Sequence, residues 1–314
     1  MQKNSFFIAA IILVIIAATL FFIPQMQPGK ADSRLEITVT TNIIGDAVKQ
    51  IAGDLVTLNC LMQPGVDPHS YHARLSDLRA LLRADLILYN GLHLEGKMAS
   101  VFHKMHGIKA VHAISDALIP EELIVSQEFD GIYDPHIWFD VALWKKVIIF
   151  ITDLLCTYDA QHQEIYQARM RAHLINLAEL EADIRTILSA VPAFHRHLVT
   201  THDAFSYFGR AYGVNVIGLQ GVNLDAEPCI KNMQELIEII ISLNIPTIFI
   251  ESSLPPRSMQ AIQEAVRAHG HSVSIGDELY SDTLGDAQSG AETYIKMIKH
   301  NTRALVRGLN PLYT

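Results

Sequence analysis

Short apolar, β-branched runs alternate with stretches of helical periodicity along most of this chain. In the first half, the runs predict strands at residues 35–41, 56–61, 86–89 and 110–114. The helical stretches lie at residues 43–52, which Gly53 closes, and at 76–83, for which Ser76 is the candidate N-cap. Strands that alternate with helices predict a parallel sheet covered on both faces.

A different pattern occupies residues 159–190, which contain no glycine or proline. Apolar residues recur there at helical spacing, for example Ile165, Leu177, Ile184 and Leu188. A helix over this whole stretch would be roughly 48 Å long. An ordinary core or coiled-coil helix is the alternative, but the central position of the stretch predicts a rigid linker.

The alternation resumes beyond this stretch. It predicts strands at residues 198–201, 214–218, 247–250 and 272–275, and helices at 204–212, 230–243, 257–269 and 291–309. The sequence therefore predicts an α/β fold with two lobes, each with a parallel sheet flanked by helices, joined by one long rigid backbone helix. The expected lobes are residues 34–158 and 191–314, and the backbone helix is 159–190.

The N-terminus carries an apolar run at residues 6–23, which follows Lys3, is broken only by Thr19 and ends at Pro24. The run is long for the apolar part of a signal peptide and at the lower limit for spanning a bilayer. We expect residues 1–33 to be an export signal, either cleaved near residues 29–31 or retained as an anchor in the cytoplasmic membrane. A periplasmic location follows, and no cysteine stands beside the run to carry a lipid.

Composition narrows the possible partners. The formal net charge is −9 and no run of Lys and Arg occurs, which argues against a nucleic-acid partner. Cys60, Cys156 and Cys229 are too few and too scattered for a disulfide framework or a cysteine-based zinc site. Each is expected to be a small buried hydrophobic residue, and the odd count leaves at least one thiol unpaired.

Four residues stand in local sequences suited to hold a metal. His69 and His136 each end an Asp-Pro-His tripeptide, His202 directly follows a predicted strand, and Asp282 lies after the last one. Proline fixes φ and restricts the residue before it, so a histidine after such a turn is held in a fixed direction. Imidazole is the commonest metal-ligand side chain. Two ligands from each half predict a metal site in the cleft between the lobes.

Other candidates are weaker. Asp277 and Asp286 are alternative acids in the last loop, but the Tyr-Ser-Asp context selects Asp282. Most of the remaining histidines are expected to be solvated or exposed: His72, His93, His103, His106, His112, His195 and His197. A ligand role is the alternative for His72, and a weak secondary metal contact is the alternative for His195 and His197.

The chain also resembles the cluster A-I solute-binding proteins of zinc/manganese ABC transporters, the TroA-like family. The resemblance covers about residues 35–310 and includes Thr-Asn-Ile-Ile-Gly-Asp at 41–46, Asn-Gly-Leu-His-Leu-Glu at 90–95, Phe-Ile-Glu-Ser at 249–252 and Leu-Tyr-Ser-Asp at 279–282. It implies the ligands His69, His136, His202 and Asp282, two lobes with a backbone helix, and an ABC permease with its ATPase as partners.

Two departures from the pattern of this family leave the identity of the metal open. Zinc-dedicated members often have a His-rich loop ahead of the second Asp-Pro-His motif, whereas residues 114–133 of this chain contain no histidine. Manganese-dedicated members tend to have glutamate at the position where this chain has His202. Three imidazoles and a carboxylate suit zinc, and accommodate Mn(II) or Fe(II) if the carboxylate binds through both oxygens. Glu251 is the best candidate to accept a hydrogen bond from a ligand imidazole and so fix its tautomer. A helix N-cap role is the alternative for Glu251.

Four protein ligands close a metal site, which predicts carriage of a metal and no enzymatic activity. The rival hypotheses are an exported zinc-dependent hydrolase and an adhesin-type surface protein with a structural metal. The hydrolase is disfavoured because the sequence has no His-Glu-x-x-His and no Gly-x-Ser-x-Gly motif.

Overall fold

The first half of the chain forms a four-stranded parallel sheet. The computed structural model describes residues 34–126, 131–221 and 230–310. The predicted export segment 1–33 and Cys229 lie outside these residues. The strands are β1 (Leu35–Val39), β2 (Val56–Cys60), β3 (Leu86–Tyr89) and β4 (Ala110–Ala113), in the order β2-β1-β3-β4. Helices α1 (Asn42–Ala52), α2 (Leu75–Arg83) and α3 (Ala99–Met105) connect them.

Local sequence sets the helix ends here. The Thr41 hydroxyl accepts a hydrogen bond from the backbone N–H of Ile44, and Gly53 ends α1 with a φ of 58° that favours glycine. The predicted cap at Ser76 is wrong, because α2 begins one residue earlier. There the Asp77 carboxylate accepts from the backbone N–H of Arg74 at 2.7 Å and closes the first turn.

Two adjacent helices follow the first sheet. Helix α4 (Val141–Tyr158) begins after Asp140, whose carboxylate accepts from the N–H groups of Ala142 and Leu143. Helix α4 was not predicted from the sequence because apolar residues outnumber polar ones along it, although Lys146 and Asp153 lie on its exposed side. Helix α5 (Gln163–Leu188) is 26 residues long, about 39 Å at 1.5 Å per residue, and packs against both α1 and α4.

The predicted long helix is therefore present but shorter than its 32-residue stretch. A 3₁₀ turn at Ala160–His162 precedes α5. The Asp159 carboxylate lies 2.8 Å from the His162 imidazole and also accepts from the Tyr166 hydroxyl, so the chain turns there instead of continuing as one α-helix.

The second half also forms parallel strand pairs flanked by helices. Strands β5 (His197–His202) and β6 (Asn215–Gln220) pair, as do β7 (Thr247–Ile248) and β8 (Ser274–Ile275). The N–H of Phe249 donates to the carbonyl of Val199 at 2.9 Å, which places β7 beside β5. The helices are α6 (Ser206–Tyr212), α7 (Ile230–Ser242), α8 (Arg257–Ala268) and α9 (Tyr294–Leu309).

The predicted fold class, parallel sheets flanked by helices together with one long helix, is confirmed. One apolar cluster includes residues of both halves, from Ile37 to Leu309, and each half also has a smaller cluster of its own. Backbone contacts group the chain from Leu35 onward into one compact unit, so the predicted lobe boundaries stay a prediction. Within the described residues, no helix combines the length and apolar composition that a bilayer crossing requires.

Candidate metal centre

The structure brings His69, His136, His202 and Asp282 together in the interior. Each is at most 6% exposed, and one nitrogen or oxygen atom from each lies within 4.8 Å of the others. His202 is the last residue of β5, and Asp282 lies in the loop after β8, as expected for groups at the carboxyl ends of parallel strands. Among the described residues, no other group of three or more such side chains is close enough to hold a metal.

Both Asp-Pro-His tripeptides form the same turn. The Asp67 carboxylate accepts from the backbone N–H of His69 at 2.8 Å, and the Asp134 carboxylate accepts from that of His136 at 2.9 Å. Each turn is an Asx turn with the proline at its centre, which fixes the direction of the histidine that follows.

Asp134 has a second role, which was not predicted from the sequence. Its Oδ1 atom also lies 2.7 Å from Nδ1 of His136, so the aspartate of the turn orients the imidazole as well as the backbone. The signal was present in the tripeptide itself. Only the folded structure distinguishes the two turns, because Asp67 binds the Ser70 hydroxyl at 2.6 Å instead.

Glu251 performs the corresponding task for His202. Its two oxygens lie 2.9 Å from the backbone nitrogen and 2.6 Å from Nδ1 of that histidine. Glu251 is 2% exposed and lies several residues before α8 begins at Arg257, so the alternative role as a helix N-cap does not apply.

These carboxylates decide which imidazole nitrogens face the centre. A neutral imidazole that donates its Nδ1 proton to a carboxylate has an unprotonated Nε2. Nε2 of His136 lies 3.3 Å from Nε2 of His69 and 3.3 Å from Nε2 of His202. Facing lone pairs at this distance repel each other unless a cation or a proton lies between them.

The same distances fit a bound zinc ion. A tetrahedral ion with zinc–nitrogen bonds of about 2.0–2.1 Å separates its ligand atoms by about 3.3–3.4 Å. Oδ1 of Asp282 supplies the fourth corner, 3.3 Å from Nε2 of His136 and 3.8 Å from Nε2 of His69. The donor set and its spacing therefore suit a divalent transition metal.

Electrostatics at the centre favour a cation. Burial lowers the pKa of His136, but the Asp134 and Asp282 carboxylates outweigh it and raise that pKa to about 9. Burial likewise lowers the pKa of His202, yet Glu251 and Asp282 hold it well above its ordinary value. Burial raises the pKa of Asp282, but His202 and the neighbouring imidazoles hold it well below its usual range. Without metal, the centre binds protons strongly.

The Asn-Gly-Leu-His-Leu-Glu segment supports the second turn. Glu95 is buried and accepts from the Thr40 hydroxyl at 2.7 Å and from the backbone N–H of Asn90 at 2.8 Å. The Asn90 amide in turn donates to the carbonyl of Pro135 at 3.0 Å. Gly91 has a φ of 85°, and the Ser115 hydroxyl would lie 2.4 Å from any Cβ there, so glycine is required.

The Thr-Asn-Ile-Ile-Gly-Asp segment joins the two halves near the site. The Asn42 amide donates to the Thr283 hydroxyl at 2.9 Å, and its oxygen accepts from the backbone N–H of Leu284 at 2.9 Å. The Asp46 carboxylate accepts from the backbone N–H of Tyr294 at 2.9 Å. The Asn42 bonds hold the loop that carries Asp282 against α1, and the Asp46 bond holds the start of α9 there.

The weaker candidates lie elsewhere. Asp277 pairs with Arg307, and Asp286 accepts from backbone N–H groups of its own turn. Two histidines expected to be solvated are instead partly buried: His112 lies 3.1 Å from the Tyr158 hydroxyl, and His197 begins β5. The other histidines of that set are exposed, as expected: His72, His93, His103, His106 and His195.

Cys60 and Cys156 are free thiols, and both are partly buried, where small buried hydrophobic residues were expected. Burial raises the pKa of the Cys60 thiol to about 11, so that thiol is protonated at neutral pH. Neither cysteine belongs to the metal centre.

Comparison with known proteins agrees with this picture. Residues 37–308 match the family described as zinc-uptake complex component A, periplasmic. The chain is 44% identical over 283 residues to zinc-binding protein TroA of Treponema pallidum (strain Nichols), covering 90% of this chain and 91% of TroA. It is 37% identical over 279 residues to manganese-binding lipoprotein MntA of Bacillus subtilis (strain 168), covering 89% of this chain and 91% of MntA.

The fold matches a solved structure equally well. The structure of the periplasmic zinc-binding protein TroA from Treponema pallidum superimposes with a TM-score of 0.85 at 44% identity. The match covers 88% of this chain and 99% of that one. The similarity therefore extends over both halves of the described chain.

Proposed function

We propose a transport function for this chain, which belongs to the family of periplasmic component A proteins of zinc-uptake complexes. The chain captures one divalent transition metal ion, Zn²⁺ or Mn²⁺ with Fe²⁺ as a further candidate, and delivers it to an ABC permease driven by its ATPase. The observation that carries this proposal is the buried convergence of three Nε2 atoms and one carboxylate at the spacing of a tetrahedral ion.

His69, His136, His202 and Asp282 are the proposed ligands. Asp134 and Glu251 are the proposed acceptors that keep Nδ1 of two imidazoles protonated, so that Nε2 is free for the metal. The names of the relatives, a zinc-binding protein and a manganese-binding lipoprotein, support a divalent metal as the cargo. The affinity order of divalent ions favours zinc over manganese at such a nitrogen-rich site.

Carriage is favoured over catalysis. Catalytic zinc sites usually keep three protein ligands and one open position, whereas four buried protein ligands leave no position for a substrate. We extend the proposal to the organisation of the chain: residues 1–33 direct export to the periplasm, and lobes 34–158 and 191–314 flank the backbone helix within 159–190.

A metal titration tests the function. Metal-free protein, titrated with Zn²⁺ and with Mn²⁺ in a calorimeter, should bind one ion per chain. His69→Ala, His136→Ala and His202→Ala should each weaken binding by more than the roughly 10–100-fold typical of losing an outer-shell partner. His72→Ala, which changes an exposed histidine of the same loop, is the matched control.

Unchanged affinity in any of the three variants would remove that histidine from the site. Turnover of ester, peptide or phosphate substrates by the zinc-loaded protein, lost together with the metal, would instead favour the hydrolase.

A further inference from the structure

One hydrogen bond joins the loop of the second proposed ligand to the loop of the fourth. Trp138, two residues after His136, donates its indole N–H to the carbonyl of Ser281 at 3.0 Å. Ser281 immediately precedes Asp282. Trp138 is 2% exposed and Ser281 is fully buried, so the bond is shielded from solvent. It therefore connects the two halves of the chain directly beside the candidate centre.

The Trp138 ring also contacts a proposed ligand. Its indole lies edge-on to the His136 imidazole, with ring centroids 5.3 Å apart and an interplanar angle of 74°. The backbone of Trp138 is held as well, because the Tyr294 hydroxyl donates to the Trp138 carbonyl at 2.7 Å. The N–H of Tyr294 in turn donates to the Asp46 carboxylate at 2.9 Å. Trp138 is thus fixed at its backbone, packed against one ligand and hydrogen-bonded beside another.

The loop of Asp282 is held on both sides of that residue. Trp138 bonds the residue before it, and Asn42 bonds Thr283, the residue after it. Both donors belong to the first half of the chain, whereas the loop belongs to the second. The backbone of Asp282 is therefore anchored to the half that supplies His69 and His136, and such support places ligands before the metal binds.

The second tryptophan shows the ordinary role of this residue type. The chain has two tryptophans. Trp144 is 1% exposed and stacks on the Tyr294 ring at 5.1 Å, but its indole N–H has no hydrogen-bond partner among the described residues. Packing in the core accounts for Trp144. It does not account for the N–H of Trp138, which is directed at one carbonyl of a ligand loop.

We infer that Trp138 is a positioning residue for metal capture, whose indole N–H keeps the Asp282 loop in place relative to His136 across the two halves. This inference rests on the proposed function and deepens it. Without the N–H donor, the buried Ser281 carbonyl loses this hydrogen bond, which is unfavourable, and the loop occupies more arrangements. Metal affinity then falls in proportion to the fraction of molecules whose ligands are correctly placed.

Matched variants of the two tryptophans test the inference. Trp138→Phe keeps an aromatic ring and removes the N–H donor, and Trp144→Phe makes the same change where the N–H has no described partner. Competition titration of the metal-free proteins measures zinc affinity. We expect affinity to fall about tenfold in Trp138→Phe, the effect of about one lost hydrogen bond. Trp144→Phe, which keeps a ring beside Tyr294, should retain the wild-type affinity.

A further variant removes the donor without changing the packing. Benzothienylalanine in place of Trp138 has a sulfur atom where the indole has its N–H and has nearly the same shape, so it leaves no cavity. It should reproduce the affinity loss of Trp138→Phe while unfolding close to the wild-type temperature. Cobalt bound to this variant should also absorb visible light at shifted wavelengths, because these bands report how the ligands are placed. A role confined to stability would leave the bands unchanged.

Wild-type zinc affinity or unshifted cobalt bands in the benzothienylalanine variant would overturn the inference. An equal affinity loss in Trp144→Phe would also overturn it, because that result would indicate a general loosening of the core. None of these results affects the proposed function, since the four proposed ligands are unchanged in every variant. A wild-type protein that binds no divalent ion would instead contradict the proposed function itself.

Discussion

At the scale of single residues, two carboxylates determine how the imidazoles behave. Asp134 and Glu251 each bind both the backbone nitrogen and Nδ1 of the histidine they orient. They thereby direct Nε2 of His136 and of His202 into the centre. The same negative charges raise the pKa of both imidazoles, so metal and protons compete for the same atoms.

This competition predicts the pH dependence of metal binding. Isolated histidines, with pKa values near ~6.5, would make affinity fall only between about pH 6 and 5. Because the pKa of His136 is about 9 in the metal-free protein, zinc affinity should instead rise with pH from 6 to about 9. Competition titrations across this range measure it, and a profile that is flat above pH 7 would contradict the raised pKa.

The folding stability of the metal-free protein should change with pH in the opposite direction to its zinc affinity. A raised histidine pKa in the folded state contributes stability that is complete below the unfolded pKa near ~6.5. That contribution is lost as pH rises towards about 9. The thermal midpoint of the metal-free protein should therefore decrease over this window, while the increase that zinc produces should grow.

Glu251→Gln tests the orienting carboxylate. The substitution keeps the size of the side chain but removes its charge beside His202. We expect zinc affinity to fall by about 10–100-fold, as is typical for loss of an outer-shell acceptor. Glu278→Gln, at an exposed position after β8, should leave affinity unchanged. Equal affinities of the two variants in a competition titration would show that Glu251 does not support the site.

Asp282→Asn tests the fourth ligand. An amide has no net charge and binds metal weakly, so the variant should lose most of its metal affinity. Asp277→Asn in the same loop should retain it, because Asp277 is exposed and pairs with Arg307. Calorimetric titration distinguishes them, and the reverse order would show that the acids were assigned wrongly.

At the scale of elements, the strands and helices bring the site residues to one place, and short loop motifs complete the positioning. The alternation of strand and helix was predictable because each element shows its own periodicity. Helix α4 was not predicted in this way, since apolar residues outnumber polar ones along it and weaken its periodic signal. The start of the long helix at Gln163, after the turn at Asp159, depends on side-chain contacts that periodicity does not encode.

The Asn42 contacts give a testable link between elements. Asn42→Ala removes three hydrogen bonds between α1 and the loop that carries Asp282. We expect unfolding to become easier by about 1–3 kcal/mol and zinc affinity to fall, because the loop is less firmly held. Lys49→Ala, on the exposed face of the same helix, is the control. A zinc affinity equal to that of the control would show that the loop is positioned without Asn42.

At the scale of the whole molecule, one apolar cluster includes residues of both halves, and the candidate site takes two side chains from each half. Helix α5 packs against α1 and α4 from the first half and against α9 from the second. A metal held by two ligands from each half should therefore stabilise the whole described chain. Zinc at 100 times its Kd should add about 2.7 kcal/mol to the free energy of unfolding.

Location is tested on the whole protein in its host. If residues 1–33 direct export, the chain should be recovered outside the cytoplasm, and its N-terminal residue should show whether the segment is removed. Deletion of the chain should reduce uptake of the metal that it binds in metal-poor medium. Full-length protein in the cytosolic fraction would contradict the proposed location.

The sequence by itself determined the fold class and indicated four candidate metal ligands. Strand and helix periods are local properties, and a proline-stiffened turn aims a histidine wherever the turn lies. The tertiary structure alone decided which carboxylate faces which imidazole. Asp67 and Asp134 occupy identical tripeptides, yet only Asp134 contacts the imidazole of its histidine among the described contacts. The hydrogen bond from Trp138 to Ser281 likewise joins loops far apart in sequence, and only packing brings such groups within hydrogen-bond distance.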